Sequence, residues 1–346
     1  MFKSASAPAV ILILLILLTS SSSFSSKGFA KNGFSKPSLS QNKAPPPPPP
    51  PETLTLQNTI PLALQKIASS PSLYTLPPSL DFFQILPPLL SSKYSLSPTS
   101  RIPHFLHTYL LLSSLNDSKN NKLILDKLFS NSNRPIEDIH AYMPGVQCPT
   151  PYLNPENFKI TKLIQDNIST IRSEYFALKE HFSDSPSGFR SLTSMNYDSG
   201  WSTLPLHQNG HRLPNFPYHL CPETLNILET LPIAGRISGF NKQKVKTGIP
   251  EHSDGNNMWL TLQCPIELEV SKSFIVNGGE KVFYEKEKCV IYDTTYSHYT
   301  FNESEKEERV VLHVDFWNFE EMCEQEIEVM RYVYEMKEKF EVAERG

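Results

Sequence analysis

The strongest constraint on the fold is a succession of short apolar segments between Gly235 and Trp317. The first of them, residues 240–247, alternates with period two, and Gly278-Gly279 between two later ones is a hairpin-turn signal. Many short strands separated by turns predict a double-sheet jelly roll of the cupin type. The predicted strands are residues 240–247, 259–269, 272–276, 281–284, 289–292, 298–301 and 309–317.

Two histidines and one aspartate in this region have the composition of a metal site. His252 and Asp254 are two residues apart, and His298 follows in a later predicted strand. Two imidazoles and one carboxylate hold non-haem Fe(II) while leaving coordination positions open. In a strand, residues two apart share a face, so His252 and Asp254 are expected to converge on one metal. The alternative for Asp254 is a turn formed by Asp-Gly before Asn256.

Arg309 begins the last predicted strand, eleven residues after His298. A fixed cation beside such a metal is what a dicarboxylate co-substrate requires. His313 lies four residues further along, hence on the same strand face. We therefore consider His313 a candidate pocket residue, with a hydrogen-bonded core histidine as the alternative.

The first 51 residues have the composition of a targeting segment and linker. Lys3 precedes an apolar run over residues 9–18 and a serine tract, which is the layout of a secretory signal. That run is about half of the ~20 residues that span a bilayer, so a cleaved signal is favoured over an uncleaved membrane anchor. The predicted location is the endoplasmic reticulum lumen. The acid-poor, lysine-containing stretch that follows leaves a two-part plastid presequence as the alternative, and residues 45–51 predict a polyproline spacer.

Charge and cysteine content exclude several classes of protein. The formal net charge is −4 over 346 residues, without a basic stripe interleaved with aromatic residues, so nucleic acid is not an expected partner. The five cysteines are odd in number and widely spaced, which predicts neither a disulfide framework nor a zinc site.

The remaining segments predict helices around the β region, hence an α+β fold with flanking helices. We expect helices at residues 102–115 and 122–129, one amphipathic helix over residues 158–181, a short helix over 221–231 and a charged helix over 320–344, with residues 200–219 loop-like. The predicted organisation is a targeting segment and linker (1–51), a leucine- and proline-rich, mainly helical region (52–147), an oxygenase-like domain (148–319) and a C-terminal helix (320–346).

Residues from about Cys148 to Phe319 resemble the aspartyl/asparaginyl β-hydroxylase family of 2-oxoglutarate-dependent oxygenases. Each motif alone is weak, but their order and spacing make the match specific. The motifs are Trp201-Ser202-Thr203-Leu204-Pro205-Leu206, Cys221-Pro222-Glu223-Thr224, Leu228-Glu229-Thr230-Leu231-Pro232, Ile249-Pro250-Glu251-His252, residues 291–298 and residues 309–317.

The resemblance implies roles for particular residues. His252 and His298 match the iron-binding histidines, and Arg309 matches the arginine that pairs with the distal carboxylate of 2-oxoglutarate. Asn241 and Gln243 match positions near the co-substrate.

This chain departs from the family at three positions. Asp254 stands where the family often has glycine, and Thr261 and Gln263 stand where it has an arginine and a histidine. The first change adds a potential metal ligand, whereas the other two remove a cation from the co-substrate pocket but keep polar side chains there.

These observations predict an Fe(II)- and 2-oxoglutarate-dependent dioxygenase that uses molecular oxygen. Its expected substrate is an aspartyl or asparaginyl side chain of a peptide or protein, or a related amino acid. The alternative is a non-catalytic jelly-roll binding module, which the changes at Thr261 and Gln263 favour, because a fold can outlast its chemistry. A cupin-like metalloenzyme that does not use 2-oxoglutarate is a third interpretation.

Overall fold

The computed structural model describes residues 54–116, 141–146, 148, 150–183, 188–189 and 200–345. The predicted signal, the polyproline run and the predicted helix over residues 122–129 lie outside these ranges. No helix within them combines the length and apolarity that crossing a membrane requires.

Eleven strands of the described residues form two antiparallel sheets that face each other as a jelly roll, as predicted. The larger sheet has the strand order β1-β9-β6-β11-β4-β2-β3, and the smaller has the order β5-β10-β7-β8. The strands are β1 (Tyr152–Leu153), β2 (Trp201–Gln208), β3 (His211–Arg212), β4 (Ile233–Gln243), β5 (Thr247–His252), β6 (Trp259–Glu267), β7 (Ser273–Asn277), β8 (Glu280–Phe283), β9 (Val290–Tyr292), β10 (His298–Asn302) and β11 (Arg309–Trp317).

The two faces of the larger sheet differ in polarity. On β6, Leu260 and Leu262 belong to the apolar core on the outer face, whereas Thr261 between them bonds to Asp315 on the inner face. The same alternation along β11 buries apolar side chains outward and directs Arg309 inward. Side chains alternate between the two faces of a strand. Each central strand therefore contributes apolar side chains to the core on one face and polar side chains to the pocket on the other.

Three helices of the described residues cover the outer face: α4 (Lys159–Asp166), α5 (Ile168–His181) and α6 (Pro222–Leu228). The single helix predicted over residues 158–181 is therefore wrong. Asn167 separates α4 from α5, and its side-chain amide donates to the carbonyl of Leu163 at 2.9 Å. This local bond competes with continuation of the helix.

A second helical layer packs against the end of the larger sheet where Trp259 and Trp317 meet. Buried side chains of α1 (Leu56–Ser69), α2 (Leu80–Lys93), α3 (Ile102–Ser113) and α7 (Glu324–Arg345) share one apolar core with these two tryptophans. Each fully buried leucine or phenylalanine there contributes about 1.5–3 kcal/mol. Pro61, Pro87 and Pro88 lie inside α1 and α2 and do not end them.

Two further predictions of strand position are wrong, and one turn is confirmed. Residues 240–247 do not form one strand, because β4 ends at Gln243 and β5 begins at Thr247 after a turn in which Lys246 has a φ of 53°. Residues 200–219, which were expected to form a loop, contain β2, which pairs with β4. The Gly278-Gly279 turn joins β7 to β8, with positive φ at both glycines.

Candidate metal centre

The two histidines of the predicted metal site are brought together by neighbouring strands of the smaller sheet. His252 ends β5, His298 begins β10, and the two residues are paired in register. Their ring centroids are 4.3 Å apart at an angle of 50°. Gly248 permits this approach, since a Cβ there would lie 2.5 Å from the carbonyl oxygen of Thr300 on β10.

Backbone carbonyls orient both imidazoles in the same way. The Nδ1 atom of His252 lies 2.8 Å from the carbonyl oxygen of Pro250, and that of His298 lies 2.9 Å from the carbonyl oxygen of Tyr296. An Nδ1–H donated to a carbonyl leaves the Nε2 lone pair free, which is the usual arrangement in metal-binding histidines. Both rings are thus prepared to bind a metal through Nε2.

Asp254 completes the set from a loop rather than from the strand that the sequence predicts. β5 ends two residues earlier, and the backbone N–H of Asp254 donates to the carbonyl of Thr294 at 2.7 Å. The Oδ1 atom of Asp254 is 3.9 Å from Nε2 of His252, and Oδ2 accepts a hydrogen bond from Nη1 of Arg236 at 2.5 Å. One ligand atom from each of His252, Asp254 and His298 lies within 4.8 Å of the others.

The electrostatic environment favours the protonation states that bind a cation. Burial alone would raise the pKa of Asp254, but Arg236, with smaller contributions from His298 and His252, holds that pKa well below its usual range. Burial lowers the pKa of His298 to about 4. At neutral pH the carboxylate is therefore charged and the imidazole neutral.

Arg309 is a buried cation on the inner face of the larger sheet. Its side chain is 1% exposed, and its Nε and Nη1 atoms have no hydrogen-bond partner among the described residues. Its guanidinium carbon lies 5.0 Å from the centre of the Tyr284 ring. Burying a cation without a hydrogen-bonded counter-ion is costly, so these donors fit a carboxylate of a small dianion.

The positions that differ from the family pattern belong to one hydrogen-bonded network. Thr261 donates to Oδ1 of Asp315 at 2.5 Å, and Nε2 of His313 lies 3.3 Å from the same oxygen. Nδ1 of His313 is 3.2 Å from the side-chain amide nitrogen of Gln263, whose carbonyl oxygen accepts from the Tyr284 hydroxyl. The network connects the surroundings of Arg309 with those of the metal ligands.

The two remaining predicted pocket residues lie on β4. Asn241 accepts a hydrogen bond from the Thr203 hydroxyl at 2.8 Å. Gln243 is paired in register with Arg309, and its amide nitrogen donates to the Thr247 hydroxyl at 2.6 Å. Both side chains are buried on the inner face of the larger sheet, on the strand next to the one that carries Arg309.

Arg236 and Tyr284 are the functional candidates that sequence reasoning missed. Arg236 lies on β4 in a segment of small and apolar residues, where a single arginine is the only signal of an inward-facing cation. Tyr284 follows β8 and is fully buried. Neither has a spacing relation to the histidines that the sequence alone would reveal.

A cavity of about 330 Å³ adjoins Asp254 and Arg236. Its opposite wall is α7, where Lys337 forms an ion pair with Glu341 at 3.8 Å and Glu338 accepts from the Asn209 amide at 2.8 Å. The cavity therefore lies between Asp254, one of the candidate metal ligands, and a helix beyond the β core.

The jelly roll therefore holds a candidate metal site of two imidazoles and a carboxylate. It also holds a buried arginine, Arg309, with two nitrogens that have no partner among the described residues. The family model described as aspartyl/asparaginyl beta-hydroxylase matches residues 165–318. These residues are therefore similar to that family, as the resemblance predicts.

Curated proteins match this chain in sequence at low identity. Aspartate beta-hydroxylase domain-containing protein 2 of Xenopus tropicalis is 28% identical over 167 residues, which cover 45% of this chain and 44% of that protein. The human protein of that name is 26% identical over 180 residues, with coverage of 49% and 47%. The chain thus matches less than half of the length of these two relatives.

Solved structures resemble the chain more weakly. A 2OG-Fe(II) oxygenase family oxidoreductase from Burkholderia pseudomallei is 10% identical, with 49% of this chain and 92% of that one covered and a TM-score of 0.31. A prolyl-4-hydroxylase from Pseudomonas putida is also 10% identical, with 46% and 98% covered and a TM-score of 0.29.

Proposed function

We propose that this protein is an Fe(II)- and 2-oxoglutarate-dependent dioxygenase that hydroxylates an aspartyl or asparaginyl side chain of a peptide, or a related amino acid. The observation that carries the proposal is Arg309, whose buried Nε and Nη1 atoms have no hydrogen-bond partner among the described residues, in the same jelly roll as the convergent ligands His252, Asp254 and His298. A metal site alone would fit many cupin-like proteins, whereas a buried cation awaiting a carboxylate fits a dicarboxylate co-substrate.

Each residue has a distinct part in this proposal. His252 and His298 would bind the metal through Nε2, Asp254 through Oδ1, and Arg309 would hold the far carboxylate of 2-oxoglutarate. When bound, iron and 2-oxoglutarate supply the oxidation with O₂: one oxygen atom enters the substrate C–H bond, and the other leaves in succinate as 2-oxoglutarate loses CO₂. The protein's contribution is to orient these groups and exclude water.

Charge balance supports a divalent cation with a dianionic co-substrate. The negative charges of Asp254 and Asp315 are matched by the positive charges of Arg236 and Arg309. A divalent metal and a dianion together add no net charge to this set. A buried site therefore accommodates both at a smaller electrostatic cost than either alone.

The substrate would reach the metal through the cavity between Asp254 and α7. This cavity is lined by polar groups from both the β core and the helix. We expect α7, which lies beyond the family match at residues 165–318, to contribute to substrate choice.

A non-catalytic binding module is the second candidate, because Thr261 and Gln263 replace charged or basic residues of the family. Their side chains form hydrogen bonds with Asp315, His313 and Tyr284, so they belong to an ordered polar network. A module that had lost its chemistry would have no need to keep Arg309 buried and unpaired, so we favour the enzyme.

The test is anaerobic addition of Fe(II) and 2-oxoglutarate to the purified protein. We expect a visible charge-transfer band that requires both additions, followed in air by slow conversion of 2-oxoglutarate to succinate. Metal binding without band or succinate would contradict the dioxygenase and favour the binding module. His298→Ala is the control, because it should abolish both signals.

A further inference from the structure

We propose that Arg236 and Asp315 form a support that holds the carboxylate of Asp254 in position as the third metal ligand. This inference rests on the metal-binding part of the proposed function and assigns a positioning role to two residues that do not themselves reach the metal. It also assigns a role to the contacts that Thr261 and His313 make with Asp315.

Arg236 binds one of the two carboxylate oxygens of Asp254. Nη1 of Arg236 donates to Oδ2 of Asp254 at 2.5 Å, while Oδ1 is the oxygen closer to His252. The guanidinium thus fixes one carboxylate oxygen and leaves the other for a metal. Hydrogen bonds to the outer oxygen of a ligating carboxylate commonly set its orientation.

Arg236 is itself held from the opposite side. Its Nε lies 3.7 Å from Oδ2 of Asp315, a carboxylate that is 1% exposed. Asp315 in turn is fixed through Oδ1, which accepts from Thr261 and lies near His313. The guanidinium therefore has carboxylates on two sides, and its position does not depend on Asp254 alone.

Charge explains why the support needs an arginine. Asp254 is half-buried and Asp315 is fully buried. Ionisation of two carboxylates near one site is unfavourable without a cation between them. Arg236 supplies that cation and remains charged under all ordinary conditions. A neutral side chain at this position would leave the carboxylates to repel each other and Asp254 free to rotate.

Competition between Arg236 and the metal would have the opposite effect on metal affinity. An arginine bound to Asp254 could compete with the metal for the carboxylate, in which case its removal would strengthen metal binding. Positioning and competition thus predict changes of opposite sign in metal affinity.

The experiment measures Co(II) affinity of the full chain by competition with a chromophoric chelator. We expect Arg236→Met to weaken Co(II) binding about 10- to 100-fold, as loss of a ligand's hydrogen-bond partner commonly does. Arg236→Lys should recover part of this loss. Unchanged or tighter binding by Arg236→Met would overturn the proposal.

A double-mutant cycle shows whether Arg236 acts through Asp254. In an Asp254→Ala background, Arg236→Met should cause no further loss of Co(II) affinity, because the group that it positions is absent. An equal loss in both backgrounds would contradict the positioning role and indicate general damage to the fold.

Lys337→Met is the matched control, because Lys337 lines the same cavity but forms its ion pair with Glu341. Its Co(II) affinity should equal that of the wild type, and circular dichroism should show all variants folded. If the cycle behaves as expected but 2-oxoglutarate gives no charge-transfer band, the dioxygenase proposal fails while the positioning role stands.

Discussion

At the scale of single residues, the candidate site is defined by what each polar atom contacts. The Nδ1 atoms of His252 and His298 contact backbone carbonyls, which prepares Nε2 for a metal. Arg309 differs from them, because two of its nitrogens have no partner among the described residues. Functional groups that await a ligand are expected to cost stability while the ligand is absent.

This cost can be measured with Arg309→Met. Unsatisfied buried donors cost about 1–3 kcal/mol each, whereas the contact with Tyr284 is worth about 0.5–2 kcal/mol. We therefore expect the metal-free variant to be more stable than the wild type by about 1 kcal/mol in urea unfolding, yet unable to bind 2-oxoglutarate. Co(II) affinity should be unchanged, and destabilisation by the substitution would show that Arg309 has a structural partner.

At the scale of secondary-structure elements, the distance between β5 and β10 determines how closely the two histidines approach. Gly248 faces the backbone of β10, whereas Gly235 on β4 has its closest side-chain neighbour, Tyr334, 3.5 Å from an added Cβ. An alanine is therefore expected to fit at Gly235 and not at Gly248.

Gly248→Ala should move β5 away from β10 and weaken Co(II) binding by about tenfold or more. Gly235→Ala is the matched control and should bind Co(II) like the wild type. Equal affinities of the two variants would show that the spacing of these strands does not govern the metal site.

The C-terminal helix α7 is a second element whose role can be tested. Its alternating charges predict a mostly solvated face with Met330 available for packing, and Met330 is fully buried in the core shared with Trp259 and Trp317. We expect Met330→Ala to lower the free energy of unfolding by about 2–5 kcal/mol. Val342→Ala, at a position 65% exposed, should change it by less than about 0.5 kcal/mol.

At the scale of the whole molecule, buried histidines connect stability to pH. Burial, with smaller effects of Lys66 and His104, lowers the pKa of His107 on α3 from its ordinary value of 6.5 to about 4. Between these values the unfolded chain binds the proton and the folded chain does not. Stability is therefore lost as pH falls from about 6.5 towards 4.

His107→Gln should reduce this dependence on pH. Between pH 7 and pH 5, we expect the wild type to lose about 1–2 kcal/mol more of its free energy of unfolding than the variant loses. Urea titrations at the two pH values measure the difference. Parallel losses in both proteins would show that other groups govern the acid response.

Much of the β core and the two histidines could be predicted from the sequence, because strand alternation is a local property with period two. It identified most strands, including those that carry His298 and Arg309, but not β5, which ends at His252. Helix ends were predicted less well, since the break at Asn167 depends on one local hydrogen bond. Local patterns therefore determined the class of fold and the residue types of the site.

Only the tertiary structure decided the surroundings of those residues. The sequence left Asp254 either on the strand face of His252 or in an Asp-Gly turn. It lies in a loop and contacts Arg236, which is on a strand of the other sheet. The network from Thr261 through Asp315 to Arg236 joins three separate strand segments. Such contacts depend on which strands become neighbours in space, and that is set by packing of the whole chain rather than by any local pattern.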